Sequence, residues 1–352
     1  MTDVLIIGGG LAGLLLAEEL VSLGAETTVV DNEHPMRGSS SPATLMHAFP
    51  GRSLKPSPLL KAAYQKSQAR IHAWRHKKND LVRECRIERP LNTEQADRLR
   101  RSYETYWAHG QDSWLTFDAT NRSRLIYGPA YCVNLSAACD LMRKDRGEHV
   151  RLVADTVVAI DPCSEGWVVS STCHRMEAQK VVIAAGAGMH LFFPKLGSVE
   201  GGDLLLTQDR WPSNRMVADS GIHIAPRPGA EGLSIGSTRW PVDAPLGERE
   251  ATAKLISHLE RTLECSRESS KPFLWRGQRS ICAADRMPVC GPVPSYPGLF
   301  VLSGFGGKGL LWAPLSASLL AEAIMTGAPM PAALSTARLP PSVWAMHAPP
   351  LE

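Results

Sequence analysis

The chain has 352 residues, of which 44% are hydrophobic and 21% are charged, and its formal net charge is +3. This length suggests about two domains, and a charge so close to neutral argues against a strongly basic nucleic-acid-binding protein. Eight cysteines are scattered along the chain with no C-x-x-C pair, which argues against a disulfide framework and predicts no metal site.

The first predicted element is a buried strand, because residues 4–7 are consecutive branched apolar residues (Val-Leu-Ile-Ile). No charged and apolar leader precedes it, and no apolar run elsewhere reaches the roughly 18 residues needed to cross a bilayer. We therefore expect a cytoplasmic protein with no membrane partner.

A glycine-rich turn follows this strand. Gly8, Gly10 and Gly13 form the pattern G-x-G-x-x-G, and an apolar helix is predicted after it. These glycines allow a tight turn, a close approach of the backbone to a pyrophosphate, and close packing of helix on strand. The helix N-terminus adds N–H groups and the positive end of its dipole. The sequence therefore predicts a dinucleotide site, whose first contacts are Gly8, Gly10, Leu11, Ala12 and Gly13.

The second predicted strand, residues 27–30, ends at Asp31, where a carboxylate is expected to bind the ribose hydroxyls of the dinucleotide. Beyond it lies a polar loop that contains Asn32, Ser39 and Ser40. The serines either donate to the pyrophosphate or form ordinary turn hydrogen bonds, and both interpretations stay open. The chain then becomes more apolar and is expected to run along the cofactor, with contacts from Ala43 and Thr44.

The middle of the chain carries no nucleotide-binding pattern. Residues 60–75 have the spacing of an amphipathic helix with a basic outer face, which is more often a solvated face than a binding patch. Short strands separated by proline and glycine recur between residues 202 and 239. This spacing predicts a mixed or antiparallel sheet in a second domain.

Two later segments repeat the pattern of a buried strand that ends in small residues. Residues 180–183 lead into Ala185 and Gly186, and residues 299–303 lead into a glycine loop, 304–309, followed by an apolar helix. Small residues at a strand end let the backbone approach a ligand closely. A second glycine-to-helix turn also suits a ligand that develops negative charge.

Taken together, these stretches resemble the D-amino acid oxidase superfamily of flavoproteins, in its glycine oxidase and sarcosine oxidase branch. They follow the order of that family: the turn at 8–13 with Asp31, then residues 181–188, 275–292 and 303–322. Residues 276–340 are most similar to the oxidase domain of the bifunctional enzymes that trim carboxymethylaminomethyl-uridine in tRNA. The resemblance implies an α/β fold, with a Rossmann-like FAD-binding domain of the glutathione-reductase type and a second domain on a mixed or antiparallel β-sheet.

The resemblance also implies non-covalent FAD, with its adenosine half on the N-terminal unit and Val157 on the adenine side. The flavin ring is expected to face the second glycine turn, with contacts from Gly304, Gly306, Gly307, Lys308 and Gly309. We expect the FAD-binding domain to comprise residues 1–80, 136–200 and 276–340, and the substrate domain to comprise residues 81–135 and 201–275. Residues 341–352 are expected to form a surface tail.

Three residues are candidates for a catalytic role. Arg279 lies where the resembling family often has an arginine that binds a substrate carboxylate. Its alternative role is a salt bridge between the domains, for example with Asp285. Lys308 either places a positive charge near the flavin or points to solvent while its backbone N–H makes the contact. His47 touches the substrate, carries a covalent flavin bond, or is simply a packed histidine.

Members of this branch oxidise an amine: hydride leaves the carbon next to nitrogen for the flavin, water hydrolyses the imine, and oxygen reoxidises the flavin to give hydrogen peroxide. We expect a small amine or amino acid with a nearby carboxylate as substrate, and O2 or another acceptor as oxidant. Two alternatives stay open. One is an oxidase that acts on a modified wobble base in tRNA, although tRNA is not the favoured partner. The other is a flavin-holding subunit of a larger dehydrogenase.

Overall fold

A computed structural model describes residues 2–50, 54–90, 93–107, 114–118, 120, 123–209, 215–219, 221–263 and 272–346. The chain divides into two compact units, each assembled from separate segments. Unit 1 comprises Met1–Ser40, Cys139–Glu200 and Gln278–Glu352, and unit 2 comprises Ser41–Ala138 and Gly201–Gly277.

The described residues form eighteen strands and seven α-helices. The strands are β1 (Thr2–Ile7), β2 (Thr27–Asp31), β3 (Thr44–Met46), β4 (Val82–Pro90), β5 (Thr116–Asp118), β6 (Arg124–Val133), β7 (Val150–Ala154), β8 (Val157–Cys163), β9 (Gly166–Ser171), β10 (Arg175–Ile183), β11 (Gly197–Thr207), β12 (Arg215–Asp219), β13 (Ile222–Pro226), β14 (Leu233–Gly236), β15 (Trp240–Pro241), β16 (Phe273–Cys282), β17 (Val289–Pro292) and β18 (Leu299–Ser303). The helices are α1 (Leu11–Ser22), α2 (Leu60–Lys77), α3 (Thr93–Tyr106), α4 (Leu135–Lys144), α5 (Met189–Phe192), α6 (Glu248–Leu263) and α7 (Gly309–Thr326).

Unit 1 is built on a sheet with strand order β17-β18-β10-β1-β2-β7. The strands from β18 to β7 run parallel, and β17 pairs antiparallel with β18 at one edge. The apolar run of β1 lies in the middle of this order, which explains why its residues 4–7 are almost fully buried. Strands β8 and β9 form an antiparallel extension of the sheet through β10. The predicted Rossmann-like α/β class is confirmed.

Helix α7 is the longest apolar helix among the described residues. By length and composition alone, residues 306–326 would be able to cross a membrane, but 56% of the apolar 18-residue window within them is buried inside the protein. The helix packs against α1 and against β17 and β18. These contacts are those of a core helix of unit 1.

Unit 2 contains a sheet in which ten strands pair among the described residues, with main order β15-β11-β14-β13-β12-β4-β6-β3. Most neighbouring strands are antiparallel, whereas β12 and β4 are parallel, so the sheet is mixed as predicted. Helix α6 covers one face of it. Leu255 and Leu259 of α6 pack with Leu205, Ile224 and Ile235 of the sheet.

Two of the predicted boundaries differ from those of the units by more than three residues. Residues 41–80, expected in the FAD-binding domain, belong to unit 2, because β3 pairs with β6 and α2 packs on β4. The expected surface tail also packs in part: Trp344 is 2% exposed and makes an edge-to-face contact with Phe193 in the core of unit 1. These contacts could not be predicted from local sequence patterns, since the partners lie apart in the chain.

Candidate functional site

Three neighbouring parallel strands of unit 1 end in glycine turns at the same edge of the sheet. Strand β1 is followed by Gly8 (φ +108°), β10 by Gly186 (φ +54°) and β18 by Gly304 (φ +75°). Only glycine adopts such backbone conformations without strain. Ligands of parallel α/β sheets bind in the crevice outside the carboxyl ends of the strands. This edge is therefore the candidate cofactor site.

The first turn is closed so tightly that the backbone leaves no room for a side chain at Gly8 or Gly13. A methyl group at Gly13 would lie 1.9 Å from the carbonyl oxygen of Gly8, and one at Gly8 would lie 2.5 Å from the carbonyl oxygen of Ala184; one at Gly10 would lie 2.8 Å from Ser39 Oγ. The backbone N–H of Leu11 donates to the same Ser39 Oγ at 2.9 Å. The first-turn N–H groups of α1 have no acceptor within the helix and point out of its N-terminus.

Asp31 stands at the end of β2, beside this turn, between two arginines. Its Oδ2 is 2.8 Å from Arg37 Nη1 and 3.6 Å from Arg143 Nη2. Arg143 also donates from Nη2 to the carbonyl oxygen of Gly9 at 2.6 Å. The arginines fix the carboxylate next to the glycine turn and add positive charge where a pyrophosphate is expected. Sequence reasoning missed Arg143, because α4 carries no nucleotide-binding pattern.

Several other predicted contacts take part in local structure. Asn32 Oδ1 accepts from the N–H of His34 at 3.2 Å, and Ser40 Oγ donates to the carbonyl of Arg37 at 2.8 Å. Val157 and Ala185 pack at the border of the core of unit 1. Their cofactor contacts stay predictions. Ala43 and Thr44 lie in unit 2, the latter at the start of β3.

The second glycine turn leads directly into α7. Gly306 (φ +54°) opens a short 3₁₀ turn, Gly306–Lys308, and α7 begins at Gly309. The first turn of this long helix offers N–H groups and a positive dipole end. Gly307 is exposed, so the turn is accessible from outside unit 1.

The side chain of Lys308 is half-buried, and its Nζ donates to the carbonyl oxygen of Arg286 at 2.5 Å. Burial and the charge of Arg286 lower the pKa of Lys308. Its backbone N–H donates to the carbonyl of Phe305 at 2.9 Å. The backbone N–H of Lys308 is thus used inside the turn, and the role of its side chain near the flavin stays a prediction.

Arg279 lies against the second glycine turn. A methyl group at Gly307 would be 3.6 Å from Arg279 Nη1, and Arg279 Nε is 3.8 Å from Glu200 Oε2. The suggested pairing of Arg279 with Asp285 is not found, because Asp285 Oδ2 is bound by Arg338 Nε at 2.9 Å. The guanidinium is thus placed beside the predicted flavin turn, with its side chain 19% exposed.

His47 lies in unit 2, just after β3. Its Nδ1 is 3.1 Å from the hydroxyl of Tyr127, a fully buried residue of β6 that the sequence did not single out. Burial, with Arg89 and His223 nearby, lowers the pKa of His47 to about 3, so the ring is neutral near pH 7. The hydrogen bond favours a packed, oriented histidine; substrate contact and a covalent flavin bond stay predictions.

The residues at the edge of unit 1 fit an FAD-sized ligand in two respects. Gly8, Gly10, Gly13 and the glycines of 304–309 carry no side chains of their own, so the backbone of both turns can approach a phosphate or a ring closely. Asp31 adds an acceptor for ribose hydroxyls at the expected position. Within the described residues, no group of histidine, cysteine and carboxylate side chains has the arrangement of a metal site.

The comparisons with known proteins agree on one family. The profile described as "DAO: FAD dependent oxidoreductase" matches residues 3–323. The glycine oxidase of Geobacillus kaustophilus is 25% identical over 358 residues, covering 92% of this chain and 92% of that protein. The tRNA 5-methylaminomethyl-2-thiouridine biosynthesis bifunctional protein MnmC of Marinobacter nauticus is 26% identical over 370 residues. The match covers 95% of this chain but 56% of that protein.

Solved structures show the same fold. The crystal structure of the Geobacillus kaustophilus glycine oxidase has a TM-score of 0.74 at 23% identity, covering 94% of this chain and 95% of that one. The L-amino acid deaminase of Proteus vulgaris, with its specific insertion deleted, has a TM-score of 0.78 at 19% identity, covering 96% and 94%. At these identities the likeness concerns the fold.

The assignment of Asp31 predicts a loss of FAD. Asp31→Asn keeps the size of the side chain but removes the charge, and we expect the FAD affinity to fall about tenfold or more, as for a lost hydrogen bond to a charged group. The flavin-to-protein absorbance ratio of the purified variant and its FAD titration measure this. The matched control is Asp161→Asn, an exposed carboxylate on β8 of the same unit. Equal FAD affinity in both variants would contradict the assignment.

Proposed function

Because this chain belongs to the DAO family of FAD dependent oxidoreductases, we propose that it oxidises the C–N bond of a small amine or amino acid that carries a carboxylate. The observation that carries the proposal is the position of Arg279 beside the second glycine turn. Bound FAD supplies the redox chemistry, accepting hydride from the carbon next to nitrogen and passing the electrons to O2 or another acceptor.

The protein's own contribution is binding and orientation. The first turn of α7 offers N–H groups and a positive dipole end that stabilise negative charge on a reduced ring. The planar guanidinium of Arg279 can hold a carboxylate through two parallel hydrogen bonds, which fixes both the position and the direction of an amino acid. Glu200 Oε2 lies 3.8 Å from Arg279 Nε, within ion-pair distance but beyond hydrogen-bond length.

Relatives support this substrate class. The glycine oxidase of Geobacillus kaustophilus covers nearly the whole chain. Structures of an iminodiacetate oxidase from Chelativorans sp. BNC1 (TM-score 0.72, 17% identity) and of the L-amino acid deaminase share the fold. Each of these names describes an amino acid or a related amine that bears a carboxylate, which agrees with an arginine at the site.

Anaerobic mixing tests the proposal directly. The FAD-loaded protein is mixed without oxygen with a panel of amines and amino acids, and the flavin absorbance is followed. An enzyme in its own right must bleach its flavin with at least one carboxylate-bearing amine, and readmitted oxygen shows by peroxide release whether O2 is the acceptor. If no amine bleaches the flavin, the proposal fails and a flavin-holding subunit becomes the better interpretation.

The role of Arg279 predicts a selective loss. Arg279→Gln should raise KM about tenfold to a hundredfold for amines with a carboxylate, since a charge-assisted bidentate contact is lost, and leave KM unchanged for matched amines without one. The control is Arg286→Gln, since Arg286 lies 3.5 Å from the same Glu200 but is 56% exposed. A loss that is equal for acids and neutral amines, or equal in both variants, would refute a carboxylate contact.

A second candidate function is oxidation of a modified wobble base in tRNA. The observation in its favour is α2, which carries five Lys and Arg residues and no Asp or Glu. These basic side chains make contacts within the protein, for example Arg75 with Glu84 at 3.0 Å, which also suits a solvated face. This chain spans 56% of the MnmC relative, so the activities of that whole protein do not transfer as such.

This second function predicts salt-dependent tRNA binding through α2. Lys61→Gln with Lys66→Gln should weaken binding and lower the slope of log affinity against log salt by about one to two, because two phosphate contacts are lost. Filter binding of unmodified tRNA at several salt concentrations measures this. The control pair is Lys254→Gln with Arg261→Gln on α6, both exposed. No binding at low salt, or equal losses in both pairs, would exclude the second function.

A further inference from the structure

An arginine near the C-terminal end of unit 1 has most of its side chain inside the protein. Arg338 ends a short 3₁₀ turn, and its side chain is 14% exposed. The segment that carries it is fixed to β17 at two points. The N–H of Cys290 donates to the carbonyl of Leu334 at 2.8 Å, and Thr336 Oγ1 donates to the carbonyl of Pro292 at 2.6 Å. Arg338 is therefore anchored to the edge strand of the sheet.

The guanidinium of Arg338 binds a single loop through several of its donors. Its Nε donates to Asp285 Oδ2 at 2.9 Å, and its Nη2 lies 3.3 Å from Oδ1 of the same carboxylate. Nη2 also donates to the carbonyl of Met287 at 3.1 Å. Contact of one guanidinium with both carboxylate oxygens is the arrangement that makes such a pair strong and directional. Arg338 thus neutralises Asp285 and holds residues 285–287.

These residues form a loop whose backbone needs support. Arg286 has a φ of +58°, a region in which a residue with a side chain is strained and persists only where its surroundings impose it. The N–H of Arg286 donates to the carbonyl of Cys282 at 3.1 Å. The N–H of Met287 donates to Asp285 Oδ1 at 2.8 Å. The carboxylate that Arg338 binds is therefore also the group that closes the loop.

The loop in turn holds Lys308 at the second glycine turn. Lys308 Nζ donates to the carbonyl of Arg286 at 2.5 Å and lies 3.9 Å from Met287 Sδ. Lys308 immediately precedes α7, so its charge adds to the positive end of that helix dipole. Burial and the charge of Arg286 lower the pKa of Lys308, whereas the charge of Asp285 raises it. Asp285 is therefore near enough for its charge to act on Lys308.

We propose that Arg338 is a positioning residue for the second glycine turn, where it keeps the carboxylate of Asp285 from cancelling the positive charge of Lys308. Positive charge at this turn stabilises a ligand that becomes negative, as a flavin does on reduction. This role rests on FAD lying at the turn, as the proposed function requires, and it does not depend on which substrate is oxidised.

The reduction potential of bound FAD tests this role without any substrate. Arg338→Gln leaves Asp285 charged but without its cation, so its negative charge acts on Lys308 and on the flavin. We expect the potential of the FAD-loaded variant to become more negative. The ratio of reduced to oxidised FAD at a fixed potential should fall about tenfold, which corresponds to about 30 mV for two electrons. Equilibration with a redox dye of known potential measures the shift.

A second substitution separates this effect of charge from a general loss of structure. Asp285→Asn added to Arg338→Gln removes the uncompensated carboxylate, and we expect it to return the potential to that of the unsubstituted protein. The melting temperature should stay low in this double variant, because the hydrogen bonds of the guanidinium are still missing. Arg338→Lys keeps the charge and loses the fork, so it should shift the potential less than Arg338→Gln.

The control variant is Arg175→Gln, which removes an exposed arginine at the start of β10, the opposite end of that strand from its glycine turn. A potential in Arg338→Gln that equals that of the control, or that Asp285→Asn does not restore, overturns the proposal. If Arg338→Gln does not fold or retain FAD, Asp285→Asn alone must shift the potential in the positive direction, and no shift overturns the proposal equally. Because no amine is used, failure here leaves amine-dependent flavin bleaching untouched, and the two proposals fail independently.

Discussion

The close approach of α1 to β1 is the constraint on which the cofactor edge of unit 1 depends. With Gly13 packed on the carbonyl of Gly8, a side chain at Gly13 would push the helix away from the strand. The first-turn N–H groups of α1 would move with it, and α7, which packs on α1, would lose its support. A single backbone contact therefore positions one helix N-terminus directly and the other indirectly.

Local patterns made this edge predictable. Gly8, Gly10 and Gly13 need no partner from elsewhere in the chain to define a turn. Asp31 lies at a predictable place, the last residue of β2, because a βαβ unit has a narrow range of lengths. The turn at 304–309 was predictable in the same way, from a buried strand that is followed by glycines and an apolar helix. The α/β class and the family follow from these turns and their order, which is why the sequence was sufficient for both.

Contacts between distant segments could not be predicted in the same way. Arg143 reaches Gly9 and Asp31 from α4, and Arg338 takes the carboxylate of Asp285 that Arg279 was suggested to bind. Residues 41–80 joined unit 2 because three residues of β3 pair with β6, a register decided by the sheet as a whole. In each case the deciding partner lies dozens of residues or more away and carries no motif of its own.

Cofactor binding and substrate selectivity depend on different parts of the chain. Backbone groups at the glycine turns suit a cofactor that many relatives share, and backbone is insensitive to most substitutions. Selection among amines requires side chains, and the proposed contact of Arg279, beside the second glycine turn, is with a carboxylate. An amine without a carboxylate would leave the guanidinium without that partner, so the side chain, and not the backbone, is where substrates would be distinguished.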